Sequence, residues 1–239
     1  MPFATNNGVR IHWQRQGEGT PLLLIMGHRF SGEMWWPVLP AVTPRHRVVW
    51  FDNRGTGESD SPATASVAEM VGDALAVMDS AGVDRAHVFG VSMGGGIAQQ
   101  LTLTAPDRVT SLILGCTAIK TEVAKAPKTR EAILLWLPKA LYRPLAGKAL
   151  YGTKAPADAV AKDVAVLKKD KFTPRGVAAQ SAGVAEFTMI VGDAARINVP
   201  TLVQHGTADP VVPFIAGKQI AQTIPGARLS AIADAGYNT

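Results

Sequence analysis

The sequence predicts a doubly wound α/β domain on a mostly parallel sheet, because apolar runs of strand length alternate with helical patterns and the alternation breaks only once. The opening run Val9-Arg10-Ile11-His12-Trp13-Gln14 alternates apolar and polar residues, as a half-buried antiparallel strand does. Residues 22–26, 48–51, 86–91, 111–115 and 201–204 are instead apolar almost throughout, the signature of parallel strands covered on both faces. A last strand is expected at 228–233. Between the strands, residues 67–81 place Val67, Val71, Ala74, Leu75 and Met78 at spacings of three and four, and Gly82 stops the helix. A second helix, 95–105, ends before Pro106.

The break falls between residues 119 and 198, where the sequence turns helical and basic and includes 130–141 with the apolar face Ile133, Leu134, Trp136 and Leu137. A stretch that long exceeds a connecting loop and is expected to be a helical lid inserted over the sheet. The chain therefore divides into 1–118, the first part of the core; 119–198, the lid; and 199–239, the second part of the core.

Charge follows the same division. The net charge is +5, but residues 119–198 hold 14 Lys plus Arg against 7 acids, so the excess belongs to the insertion and the rest is slightly acidic. A solvated helical surface explains that better than a nucleic-acid face. No apolar run reaches the roughly 18 residues of a membrane span, and residues 1–8 lack the basic and apolar regions of a secretory signal, so a cytoplasmic protein is expected. With Cys116 as the sole cysteine, no intrachain disulfide or thiolate metal cluster can form; Cys116 reads as a small residue ending a strand.

The chemistry centres on Gly90-Val91-Ser92-Met93-Gly94, which an apolar strand enters and a small-residue helix, Gly95-Gly96-Ile97-Ala98, leaves. A strand-to-helix turn this tight thrusts the serine hydroxyl above the sheet edge, and flanking glycines let neighbouring backbone approach. Serine needs a base to take its proton and donors for the oxyanion that forms. The N–H of Met93, at the helix start, and that of His28, in Gly27-His28-Arg29-Phe30, are the candidate oxyanion donors.

The sequence resembles the α/β-hydrolase superfamily, in its esterase, lactonase and cofactor-free perhydrolase branch. Four blocks carry the resemblance: Leu23-Leu24-Ile25-Met26-Gly27-His28; Phe51-Asp52-Asn53-Arg54-Gly55-Thr56-Gly57-Glu58-Ser59; the serine turn; and His205-Gly206-Thr207-Ala208-Asp209-Pro210-Val211-Val212-Pro213. It implies that Asp52 and Arg54 hold backbone in a structural loop, that Asp209 is the acid of a catalytic triad, and that no metal or organic cofactor is needed. It also implies a histidine after the last strand, followed by a final helix covering the sheet. Here Tyr237 stands at the histidine position and the sequence ends at Thr239, so the expectation is a C-terminally truncated or altered member.

Among the other histidines, His28 and His205 are the nearest substitutes for the base; His12, His46 and His87 are placed elsewhere. A phenol with an unperturbed pKa near 10 is a poor base at neutral pH. Without the triad base, the oxyanion hole and binding leave a residual roughly 10³–10⁴ over water, so hydrolysis of carboxylic esters or lactones through an acyl-enzyme on Ser92 is expected to be impaired. The alternative is a non-catalytic hydrolase-fold protein that binds a small ligand. An uncovered sheet face further predicts a partner, a homo-oligomer included, or a weakened fold. A peptidase would want lid carboxylates for the substrate amine, whereas the basic lid favours neutral or anionic substrates. Trp136, Leu137 and Phe172 are expected to line an apolar cleft.

Overall fold

The computed structural model of the chain describes residues 2–119, 151, 155–187 and 191–237. Eight strands form one sheet: β1 (Phe3–Asn6), β2 (Val9–Gln16), β3 (Thr20–Ile25), β4 (His46–Phe51), β5 (Ala86–Val91), β6 (Val109–Gly115), β7 (Thr201–Gly206) and β8 (Arg228–Ile232). Their spatial order is β1-β2-β4-β3-β5-β6-β7-β8. Strand β2 runs antiparallel to both β1 and β4, and every pairing from β4 through β8 is parallel. The strands expected from the apolar runs are all present, and β1 joins them.

Why those runs are continuous is visible in the packing. Leu23, Ile25, Val49, Phe51, Val88 and Leu112 point to one face, where they meet α2 (Val67–Ser80), α3 (Met93–Thr104) and α7 (Phe214–Thr223). Leu22, Leu24, Val48 and Trp50 point to the other, against Phe30, Trp35 and Tyr237. A strand with apolar contacts on both sides cannot alternate. The remaining helices are a short α1 (Leu39–Val42) and, between β6 and β7, α4 (Ala157–Lys169), α5 (Pro174–Glu186) and α6 (Val191–Ala194). The helix expected at 130–141, with Trp136 and Leu137, lies outside the described residues.

The loop after β4 is a structural joint. Asp52 is buried and accepts from the N–H groups of Gly32 (2.8 Å) and Glu58 (3.0 Å), and it pairs with His12 Nδ1 at 2.9 Å. Arg54, expected to hold backbone, directs its guanidinium chiefly to Asp73 of α2, at 2.7 Å through both Nε and Nη2, and to Glu69 at 3.0 Å. Glu69 also closes a capping box with Ser66 at the start of α2, so the same carboxylate that stops the helix fraying anchors the loop. Among the described residues, no helix is long and apolar enough to cross a membrane.

Candidate active site

The chain passes from β3 to β4 on one side, then crosses to β5 on the other, so the carboxyl ends of β3 and β5 border the crevice where open α/β sheets bind ligands. Ser92 follows β5 directly, with φ 53° and ψ −120°, a conformation L-residues rarely adopt. The surroundings impose it. A Cβ on Gly90 would lie 2.2 Å from the Gly94 carbonyl oxygen, and one on Gly94 would lie 2.1 Å from that of Ile25, so only glycine fits at either position. Ser92 N–H donates to Gly115 O at 2.9 Å, and the Thr117 hydroxyl donates to Ser92 O at 2.7 Å, tying the turn to the end of β6. Because α3 begins at Met93, the first N–H groups of that helix have no partner one turn back, and its positive end lies at the serine.

Gly27, just past β3, marks how closely the other parts converge. A Cβ added there would lie 3.3 Å from Ser92 Cβ and 3.7 Å from Tyr237 Oη, so the serine and the phenol flank the same point. Tyr237 is buried, and the segment leading to it is pinned to the β7 loop by Ala208 N–H on Ala235 O (3.0 Å) and Asp234 N–H on the Thr207 hydroxyl (2.9 Å). Asp209, on that loop, is buried; its Oδ1 accepts from the N–H groups of Val211 (2.8 Å) and Val212 (2.9 Å). Its Oδ2 has no hydrogen-bond partner among the described residues.

The two substitute histidines are committed elsewhere. His205 Nε2 donates to Val212 O at 2.8 Å and lies 3.5 Å from Asp209 Oδ2, while its ring packs on Phe214 and Gly217 of α7. It fastens the acid loop to a helix. His28 Nε2 meets the Ser181 hydroxyl of α5 at 2.9 Å, and that hydroxyl already donates to Val177 O at 2.8 Å. His28 must therefore be the donor, protonated on Nε2. Burial, with the charge of Arg29 adding to it, lowers its pKa to about 4.

Cys116 follows β6 at φ 38°, its N–H on Gln204 O at 3.1 Å. Burial holds its thiol protonated, the charge of Asp209 pushes the same way, and a backbone hydrogen bond at Ser92 opposes them. The sequence reading of a strand-ending residue misses that this thiol sits between serine and aspartate. Phe172, expected in the cleft, bridges to Thr56 and lies under the Arg29 guanidinium, 5.2 Å from its carbon.

A cavity of about 220 Å³ opens beside the serine turn, with Met26, Gly27, Cys116, Gly206, Tyr237 and Asp163 among its lining. It abuts a second, of about 340 Å³, across Pro37, Asp163 and Ile232. Asp163, on α4, is a buried carboxylate that sequence reasoning passed over within a basic segment; it accepts from Trp36 Nε1 at 2.7 Å and from the Tyr151 hydroxyl. Among the described residues, no three His, Cys, Asp or Glu side chains converge to hold a metal ion.

A family model described as alpha/beta hydrolase fold matches residues 20–238. A curated protein of Azorhizobium caulinodans named "Putative carbamate hydrolase RutD" is 31% identical over 241 residues, covering 97% of this chain and 89% of that protein. Among solved structures, an enol-lactonase from Burkholderia xenovorans LB400 superposes with a TM-score of 0.83 at 25% identity, over 99% of this chain and 93% of its own. Est816, described as an N-acyl homoserine lactone degrading enzyme, gives 0.81 at 27% identity with the same coverage.

Proposed function

The chain belongs to the alpha/beta hydrolase fold family, and from that premise we propose that it is a serine hydrolase of carboxylic esters or lactones with Ser92 as nucleophile, slowed by Tyr237. The observation that carries this reading is the strained backbone of Ser92 at the start of α3, beside the β3–β5 crevice. Ser92 Oγ attacks the carbonyl carbon, its proton passes to solvent water where an imidazole would otherwise take it, and the N–H groups of Met93 and His28 receive the oxyanion. Collapse expels the alcohol with a proton. Water then cleaves the acyl-enzyme and restores Ser92.

Asp209 takes the role of triad acid in this scheme, and its state supports the assignment: Oδ2 is buried and lacks the N–H that a histidine would bring. Tyr237 sits beside Ser92 without being able to replace that group, since a neutral phenol has no basic nitrogen to take the serine proton. Ester and lactone substrates with an apolar body suit the cavity, and the lactone-degrading relatives fall in the same class. Asp163 supplies the cavity with a carboxylate, which tempers the preference for anionic substrates read from the basic insertion.

A second reading, a ligand-binding protein without turnover, draws on the same Tyr237. Intact-mass measurement after treatment with a fluorophosphonate separates the two, because phosphonylation forms the Oγ–P bond, releases fluoride and needs no second step. A single adduct on Ser92 in wild type or in Tyr237→His, absent from the corresponding Ser92→Ala proteins, supports the hydrolase; no adduct on either folded protein refutes it.

A further inference from the structure

The loop that carries His28 is held by side chains of the insertion rather than by the core alone. Three attachments fall on four consecutive residues. His28 Nε2 donates to Ser181 Oγ at 2.9 Å, Arg29 N–H donates to Gln180 Oε1 at 2.7 Å, and Ser31 N–H donates to Asp170 Oδ2 at 3.0 Å. Gln180 is wholly buried, and its other end donates from Nε2 to the carbonyl oxygen of Arg54 at 2.8 Å. One amide thus spans two core loops, after β3 and after β4, and both of its polar ends are used.

The geometry makes that amide consequential. Arg29 has φ 63°, so the peptide after His28 adopts a turn that L-residues disfavour and that its neighbours must maintain. An acceptor on Arg29 N–H fixes the plane of the His28–Arg29 peptide, one residue from the N–H assigned to the oxyanion. Asp170 reaches the same loop from the segment between α4 and α5, and burial raises its pKa while the N–H and hydroxyl of Ser31 oppose the rise.

We infer that Gln180 is a positioning residue for the oxyanion hole: by bridging Arg29 N–H and Arg54 O, it makes the donor geometry at His28 depend on the docking of α5. The inference rests on the reading of Ser92 as nucleophile and His28 as donor. It adds that the insertion completes the reactive centre instead of only covering it. Displacement of α5 would then disarm the site even with Ser92 in place.

The test uses the whole chain with Gln180→Met, which keeps the volume and loses both hydrogen bonds, and Gln180→Glu, whose protonated form restores both. Lys171→Ala serves as a control that loosens the same interface, since Lys171 pairs with Glu58 at 2.5 Å on the exposed rim. Saturating rates of fluorophosphonate labelling are expected to fall about 10- to 100-fold in Gln180→Met, the scale of a small misplacement at a reacting centre, with half-saturation unchanged. Gln180→Glu is expected to approach the wild-type rate as pH falls, and Lys171→Ala to match wild type. Hydrogen exchange supplies a readout independent of Ser92: residues 28–31 exchange faster in Gln180→Met while 90–96 stay protected. Unchanged exchange at 28–31 overturns the inference, as does an unchanged labelling rate in a protein that labels. Absence of any labelling in both wild type and Tyr237→His overturns the nucleophile reading instead, and the exchange result still decides the role of Gln180.

Discussion

Acidification should destabilise this protein through His28, and the size of the effect follows from its surroundings. The imidazole is half-buried, neutral and donating to Ser181, and its pKa falls from 6.5 to about 4 on folding. In the unfolded chain it titrates normally. Between those two values the unfolded state binds the extra proton, so stability is intact above about pH 6.5, declines as pH falls, and is fully lost near pH 4. A gap of about 2.5 units at 1.36 kcal/mol each gives a loss of roughly 3 kcal/mol. Asp170 works in the opposite direction, because a raised carboxyl pKa makes the native state take up its proton first. The comparison must therefore isolate His28. Urea unfolding of wild type and His28→Asn at pH 7.5, 6.0, 5.0 and 4.5 does so: the stability difference should move by about 2.5 kcal/mol in favour of the variant across that range, most of the full effect. Parallel stability curves would show that the imidazole is charged or solvated in the folded protein and would refute the argument.

Two further perturbations test the frame around the site. Ser92→Gly should raise the thermal midpoint, because glycine accepts φ 53° and ψ −120° without the strain of about 1–3 kcal/mol that serine bears, while fluorophosphonate labelling disappears; calorimetry and mass spectrometry read the two effects. Arg54→Met leaves Asp73 buried and without its ionic partner, and urea unfolding should show a loss of about 3–5 kcal/mol.

The sheet was legible because its strands are covered on both sides: Leu22 and Leu24 face one layer and Leu23 and Ile25 the other, which leaves an unbroken apolar run in the sequence. Strand β1 and helix α7 carry weaker marks. Phe3–Asn6 is four residues long and earns its place by pairing with β2, and Phe214–Thr223 has Gly217 in its interior, where His205 packs. The serine turn was legible for a steric reason, since Gly90 and Gly94 admit no Cβ. What one sequence hides is the meeting of distant segments. Nothing local to Gln180, Asp163 or Cys116 says that the first bridges two core loops, the second borders both cavities, or the third lies between serine and aspartate.

In the proposed hydrolase, Ser92 is an armed nucleophile lacking only its imidazole. Turnover of p-nitrophenyl acetate near pH 8 by wild type, Tyr237→His and Tyr237→His with Ser92→Ala measures it directly. The histidine is expected to raise turnover by about 100-fold or more, the scale of general-base catalysis, and removal of the serine hydroxyl to abolish the gain. A folded Tyr237→His variant no faster than wild type, or one whose gain survives loss of Ser92, would contradict it.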